Sequence, residues 1–180
     1  MSFLINPYWF VSAVAELIWE QTSTGEEDSS WSGGQTRMGE LFTAGHVTIG
    51  STPTKFIFNL RKTTNEGTPS TTAPLNLIDS SNVVKATFPL EATGSAINVG
   101  DLTETFVSHT FVNDSNTETI DDGDRVVFYY SGEKYFRVQV CASCAQSGTK
   151  LTAWLSYADP PAWTNHGTKV CTMKVYGTPA

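Results

Sequence analysis

Charge is scarce in this chain, and most of it carries one sign. Asp, Glu, Lys and Arg make up 16% of the 180 residues, which is too few for a coiled coil or a disordered acidic tail. Lys and Arg number 11 against 18 Asp and Glu, leaving a formal charge of −7. No cluster of Lys and Arg offsets that sign locally, so a partner with a phosphate backbone is disfavoured and no nucleic acid is expected. Histidine is limited to His46, His109 and His166, and cysteine to Cys141, Cys144 and Cys171. There is no Gly-x-Ser-x-Gly elbow, zincin motif or Walker loop, and the reading is of a protein that is not an enzyme, with no catalytic residues and no cofactor. Beyond residue 34 no capped helix of three turns can be drawn, and no internal repeat is visible.

Thr, Ser, Gly and Asn carry much of the polarity, and aromatics reach 12%. That mixture suits strands and turns better than helices. Short apolar runs bounded by turn formers recur at 37–42, 46–49, 55–61, 75–79, 83–90, 103–112, 124–130, 134–141, 150–157 and 169–176, and residues 14–21 also lean to a strand. In the 55–61 run Phe56, Phe58 and Leu60 alternate with Lys55, Ile57, Asn59 and Arg61, which needs one buried and one wetter face. Asn65-Glu66-Gly67-Thr68-Pro69, Asp79-Ser80-Ser81-Asn82, Asp121-Asp122-Gly123 and Ser131-Gly132 supply the reversals. Residues 22–34, with Glu26-Glu27-Asp28 and Gly33-Gly34, read as an exposed, mobile loop. The fold class is all-β, with Phe56, Phe58, Leu60, Phe106, Val126, Phe128, Phe136, Val138 and Leu155 expected in the core.

The opening segment holds Phe3, Leu4, Ile5, Tyr8, Trp9 and Phe10 around Pro7. It lacks a basic region and Pro7 interrupts it, so it reads as neither a signal peptide nor a spanning helix, and no membrane insertion is expected. Those six side chains either cap the core or form an arm that docks on a neighbouring subunit, since such a segment is costly to leave in water.

The order Phe56-Ile57-Phe58-Asn59-Leu60-Arg61-Lys62, Gly67-Thr68-Pro69, Leu77-Ile78-Asp79-Ser80-Ser81-Asn82-Val83-Val84-Lys85-Ala86, Ile120-Asp121-Asp122-Gly123-Asp124-Arg125-Val126-Val127-Phe128-Tyr129-Tyr130-Ser131-Gly132 and Met173-Lys174-Val175-Tyr176-Gly177 resembles jelly-roll domains of the carbohydrate-binding-module type, which recur in phage and archaeal virus particles. The resemblance spans roughly residues 36–177. It implies an antiparallel two-sheet jelly-roll sandwich at 35–180 preceded by an arm and acidic loop at 1–34. It also implies a non-enzymatic virion surface component assembled in the host cytoplasm, a capsid decoration protein or a tail or fibre domain. The partners would be capsid or tail subunits and sister copies in a homo-oligomer, engaged through the arm residues Phe3, Leu4, Ile5, Tyr8, Trp9 and Phe10 and one face of the sandwich. The alternative is a glycan-binding module of a tail fibre or cell-surface adhesin that meets host-surface glycans. No site motif accompanies these turns and strands, so they speak to fold before activity.

Three further groups carry competing readings. The acidic turn Asp121-Asp122-Gly123-Asp124 could offer oxygen ligands to calcium, but a turn that opens a strand wants Asp and Gly for backbone reasons alone. Cys141, Cys144 and Cys171 are three thiols, one disulfide with a leftover thiol, or, with His166, a Cys3His zinc site; the expectation is that no metal is required. Trp154, Tyr157 and Trp163 flank Asp159-Pro160-Pro161 and either stack on sugars or a neighbouring subunit, or seal one end of the core. His109 reads as a partly buried structural histidine within a strand, and His46 as a turn residue after Gly45.

Overall fold

The computed structural model describes residues 15–22, 26–30, 35–63, 71–130, 136–144, 147–155, 162–166 and 168–180. Among them lie the strands β1 (Glu16–Gln21), β2 (Glu26–Ser30), β3 (Gln35–Phe42), β4 (Thr52–Lys62), β5 (Thr72–Ala73), β6 (Leu75–Ile78), β7 (Val84–Phe88), β8 (Ile97–Asn98), β9 (Val107–Val112), β10 (Arg125–Tyr129), β11 (Phe136–Cys141), β12 (Thr149–Leu155), β13 (Ala162–His166), β14 (Val170–Cys171) and β15 (Met173–Thr178). A single 3-10 turn at Val99–Asp101 is the one helical element among the described residues. The all-β expectation holds.

The strands form three antiparallel sheets. The first runs β1-β15-β4-β11-β14, with β2 added to β11 and β9 to β4; the second runs β13-β12-β3-β10-β6-β7; β5 and β8 make a two-stranded ribbon. β4 organises the first sheet because its eleven residues are long enough to take β9 along one side and both β15 and β11 along the other. Pro53, which has no N–H to give a ladder, sits one residue into β4, beside the register shift between Tyr176 and Gly177.

The core is largely aromatic. Phe56, Phe58 and Leu60 are fully buried while Ile57, Asn59 and Arg61 between them stay partly exposed, as period two requires. Phe58 of the first sheet meets Phe128 of the second with ring centroids 5.1 Å apart, and Phe128 also meets Phe111 at 5.3 Å and Phe136 at 5.1 Å, all near edge-to-face. Phe128 is therefore the side chain around which the layers close, giving the molecule a sandwich-like build. In β6 all four residues are buried, and in β10 the three central ones, so these strands are covered on both faces.

Several expectations are corrected. Residues 46–49 are a succession of turns in place of a strand: His46 donates its N–H to the Thr43 carbonyl, Ile49 to His46 and Ser51 to Thr48. Gly45 and Gly50 bracket this run at φ 89° and 83°, a conformation that ends a strand and suits glycine. The 103–112 strand begins only at Val107, and Phe106 is partly exposed beneath the Arg61 guanidinium, 5.0 Å from its ring, and does not join the core. Glu26–Ser30, read as loop, pairs with β11 from Arg137↔Ser30 to Cys141↔Glu26. An acidic segment finds a partner there that composition does not reveal. The 169–176 strand divides, with β14 pairing β11 and β15 pairing β4 and β1. β13 had no counterpart in the sequence reading. The side chain of Leu155 lies outside the described residues.

Candidate functional site

The outer face of the first sheet is assembled by strand register. β4 holds β15 on one side and β9 on the other, and β1 lies beyond β15, so outward residues stack in cross-strand rows. One row is Leu17, Tyr176, Lys55 and Val112; the next is Glu20, Lys174, Ile57 and Thr110. Lys55 places its ammonium 5.5 Å from the Tyr176 ring, and Lys174 pairs with Glu20 at 3.0 Å. That bond holds the Lys174 pKa above the usual lysine value. Leu17 is 46% exposed, which leaves an aliphatic edge on the row.

A third row is hydrogen-bonded. Ser108 donates to Asn59 Oδ1 at 2.6 Å, and Asn59 Nδ2 donates to Gln139 Oε1 at 2.7 Å. A groove of about 230 Å³ opens here, lined by Gln21, Ile57, Asn59, Ser108, Thr172 and Lys174 among others. Thr172 is buried, and its hydroxyl has no hydrogen-bond partner. Amides, hydroxyls and one ammonium over an aliphatic floor can hold a polar, uncharged ligand or a partner's polar backbone. The outward facing of Ile57 and Asn59 was legible from alternation. Their neighbours across β9 and β15 were not, because register between distant segments leaves no mark in one strand's pattern.

The acidic turn has its own cation. Lys85 of β7 donates to the Thr119 carbonyl at 2.7 Å, to Asp121 Oδ2 at 2.7 Å and to Asp124 Oδ2 at 2.8 Å, and the Asp121 N–H also bonds Asp124. All three ammonium protons are used. The Lys85 hydrogen bond lowers the Asp121 pKa, whereas burial raises that of Asp124 against the pull of the same ammonium. The ammonium thus binds one oxygen each of Asp121 and Asp124, while Asp122 accepts the Ala44 N–H at 2.8 Å, so the acidic side chains tie this turn to its neighbours.

Cys141 and Cys144 are joined in a disulfide, leaving Cys171 as a free, buried thiol. Two of the three candidate zinc thiolates are thereby consumed, and among the described residues no group of three His, Cys, Asp or Glu is placed to hold a metal ion. Cys171 faces Glu40 instead. The wholly buried Glu40 carboxyl accepts the Cys171 N–H at 2.8 Å, and its other oxygen lies 2.5 Å from Thr149 Oγ1, itself 3.2 Å from the Leu41 carbonyl. Burial pushes the Glu40 pKa up to about 8 and the Cys171 thiol well above its ordinary value. His46 is also buried, packed on Trp19 and Phe42 with Nδ1 2.8 Å from Thr48 Oγ1, and burial lowers it to about 4.

Trp163 sits on β13 half-buried, donating Nε1–H to Asn82 Oδ1 at 2.6 Å, with the Arg125 guanidinium 4.7 Å from its ring. Asn82 holds φ at 70°, a left-handed turn position that Asn tolerates. Trp163 is thus tied to the β6–β7 turn, and one ring face meets a cation of its own chain. Trp154 pairs with Trp163 in backbone register, but its ring, like Tyr157, lies outside the described residues. So do Phe3, Leu4, Ile5, Tyr8, Trp9 and Phe10. No protein-family model matches the chain, and no curated protein matches it.

Proposed function

We propose that this protein is a non-enzymatic structural protein of a virus-particle surface, a jelly-roll capsid decoration protein that attaches through the outer face of its first sheet together with Phe3, Leu4, Ile5, Tyr8, Trp9 and Phe10. The observation that carries the reading is the continuous outer face of Leu17, Tyr176, Lys55, Ile57 and the Glu20–Lys174 pair, where aliphatic, aromatic and charged groups alternate over neighbouring strands. Non-obligate interfaces between proteins are about as apolar as the rest of the surface and are enriched in tyrosine, which Tyr176 supplies here. The use of the buried ionisable groups points the same way: Glu40 bonds Thr149 and Cys171, and Lys85 bonds Asp121 and Asp124. Each is spent on holding the sandwich together. The test is co-sedimentation of the full chain with particles stripped of it, comparing wild type with Leu17→Glu/Ile57→Glu. Binding weakened at least tenfold with an unchanged melting temperature is the expected result; unchanged binding would remove this face from the reading.

A second reading, a glycan-binding module of a tail fibre or adhesin, is favoured by the groove at Asn59, Ser108, Thr172 and Lys174. Its side chains are those with which saccharide hydroxyls form hydrogen bonds. Neutral oligosaccharides should then bind in the micromolar to millimolar range, and Asn59→Ala should lose that binding while Leu17→Glu alone, outside the groove, leaves it unchanged.

A further inference from the structure

Between β13 of the second sheet and β15 of the first, the chain passes from one sheet to the other through β14, a strand of two residues. β14 pairs with β11 through Val140↔Cys171 and Cys141↔Val170, and among the described residues no strand pairs with its other side. The neighbouring Thr172 N–H donates to the Gln139 carbonyl of β11 at 2.9 Å, so by alternation the Cys171 N–H points away from that strand. Glu40 of β3 accepts it there at 2.8 Å, which ties the first sheet to the second.

The other Glu40 oxygen lies 2.5 Å from Thr149 Oγ1, and that hydroxyl lies 3.2 Å from the Leu41 carbonyl. A hydroxyl has one proton, and a carbonyl can only accept. Both contacts are made together only when Glu40 is a carboxylic acid that donates to Thr149 while Thr149 donates to Leu41. Glu40 is wholly buried, Val126 stands opposite it on β10, and the Cys171 thiol is the titratable group that faces it among the described residues. No Lys, Arg or His among them bonds it. A carboxylate without a cation is costly to hold in such a place, and burial pushes its pKa up to about 8.

To lose its proton Glu40 must meet water, and the strands around it differ in how readily they part. β3 is paired along its length with β10 on one side and β12 on the other. β14 has two pairs and an open edge, so it is the part that gives way first. We infer that the Glu40 carboxyl is a proton-operated latch: protonated, it holds residues 169–172 against β3, and on losing its proton it lets that crossover swing away, uncovering Val170 and Cys171 while the rest of the sandwich stays folded. The closed form keeps a proton that the open form releases. The open population therefore grows by up to about tenfold per pH unit between 4.5 and 8 and levels off above that.

Cys171 reports the opening, because it is buried and is the free thiol, Cys141 and Cys144 being bonded to each other. The full chain is treated, without reductant, with the aryl disulfide dithiobis(nitrobenzoate). The Cys171 thiolate attacks one sulfur, a mixed disulfide forms, the aryl S–S bond breaks and the coloured aryl thiolate leaves. Thiolate formation alone raises the rate about tenfold per pH unit below the ordinary thiol value of about 8.5. The latch adds about the same factor again, so the wild type should gain about a hundredfold per unit from pH 6 to 7.5. Glu40→Gln, which keeps the bonds but has no proton to lose, should gain only about tenfold. In about 1 M urea the wild-type rate should change by less than about twofold, since a local opening exposes little surface. A tenfold rise per unit in the wild type, an absence of labelling short of global unfolding, or a rate that climbs with urea as steeply as global unfolding would overturn the proposal. The wild-type profile decides even if Glu40→Gln fails to fold.

Discussion

Glu40 and His46 pull stability in opposite directions as pH changes. The Glu40 pKa rises from 4.5 to about 8 on folding, so between those values the folded chain keeps a proton that the unfolded chain has released. Its contribution is complete below 4.5 and is lost as pH climbs through 8, at up to about 1.4 kcal/mol per unit. The His46 pKa falls from 6.5 to about 4, so its contribution is complete above 6.5 and is lost as pH drops through 4. The two offset each other between 4.5 and 6.5, and only the Glu40 decline remains from 6.5 to 8. Urea unfolding at pH 5, 6.5 and 8 should show that decline, and Glu40→Gln should flatten it; a wild-type stability unchanged from 6.5 to 8 would refute the assignment. Gly39 illustrates a different constraint: a Cβ there would lie 1.9 Å from the Val126 carbonyl oxygen, on the neighbouring strand's backbone. No side chain can swing away to relieve it. Gly39→Ala should cost about 3 kcal/mol or more, measured by the same unfolding curves.

Turns and edge strands hold through contacts to remote segments. Lys85 on β7 ties the 119–124 turn to the second sheet, and its partner Asp124 is almost fully buried. Removing the cation leaves that carboxylate uncompensated, so Lys85→Met should lose about 3 kcal/mol, and Lys85→Met/Asp124→Asn should recover more than half of it in thermal melts. β1 is an edge strand, yet Trp19 points inward and packs edge-on to Phe42 and His46. A chain starting at Ala15 should therefore melt near wild type, whereas one starting at Thr22 should lose on the order of 3–5 kcal/mol from the tryptophan alone. If both shortened chains melt alike, β1 is not part of the stable sheet. Period two in 55–61 made the inward set Phe56, Phe58 and Leu60 readable, because burial on one face leaves a signal every second residue. β2 and β13 left no such signal: Glu26–Ser30 is acidic and polar, and its strand character comes from the open side of β11.

Across the whole molecule, two sheets share one aromatic core centred on Phe128. Phe128→Ala should be among the most damaging core substitutions, at roughly 3–5 kcal/mol, since its ring meets Phe58, Phe111 and Phe136 at once. The disulfide has a smaller part to play: Cys141 and Cys144 are only three residues apart, and closing so short a loop removes little unfolded-state entropy, about 2 kcal/mol in the chain-entropy picture. Reduction should lower the melting temperature by several degrees without loss of fold, as followed by circular dichroism.

Composition, alternation and turn residues were sufficient to establish an all-β chain, most of its strands, and the inward set of β4, because each depends on neighbours within a few positions along the backbone. They could not say that Lys85 would occupy the acidic turn, that Asn82 would take the indole of Trp163, or that Asn59 would lie between Ser108 and Gln139. Nor could they separate a disulfide from three thiols, or foresee that Phe106 would lie under Arg61 outside the core. Those outcomes depend on which distant strands pair and in what register, and a shift of one residue would turn every side chain to the opposite face. The outer-face groove belongs to the same class: it exists only where segments separated by many residues close on one another.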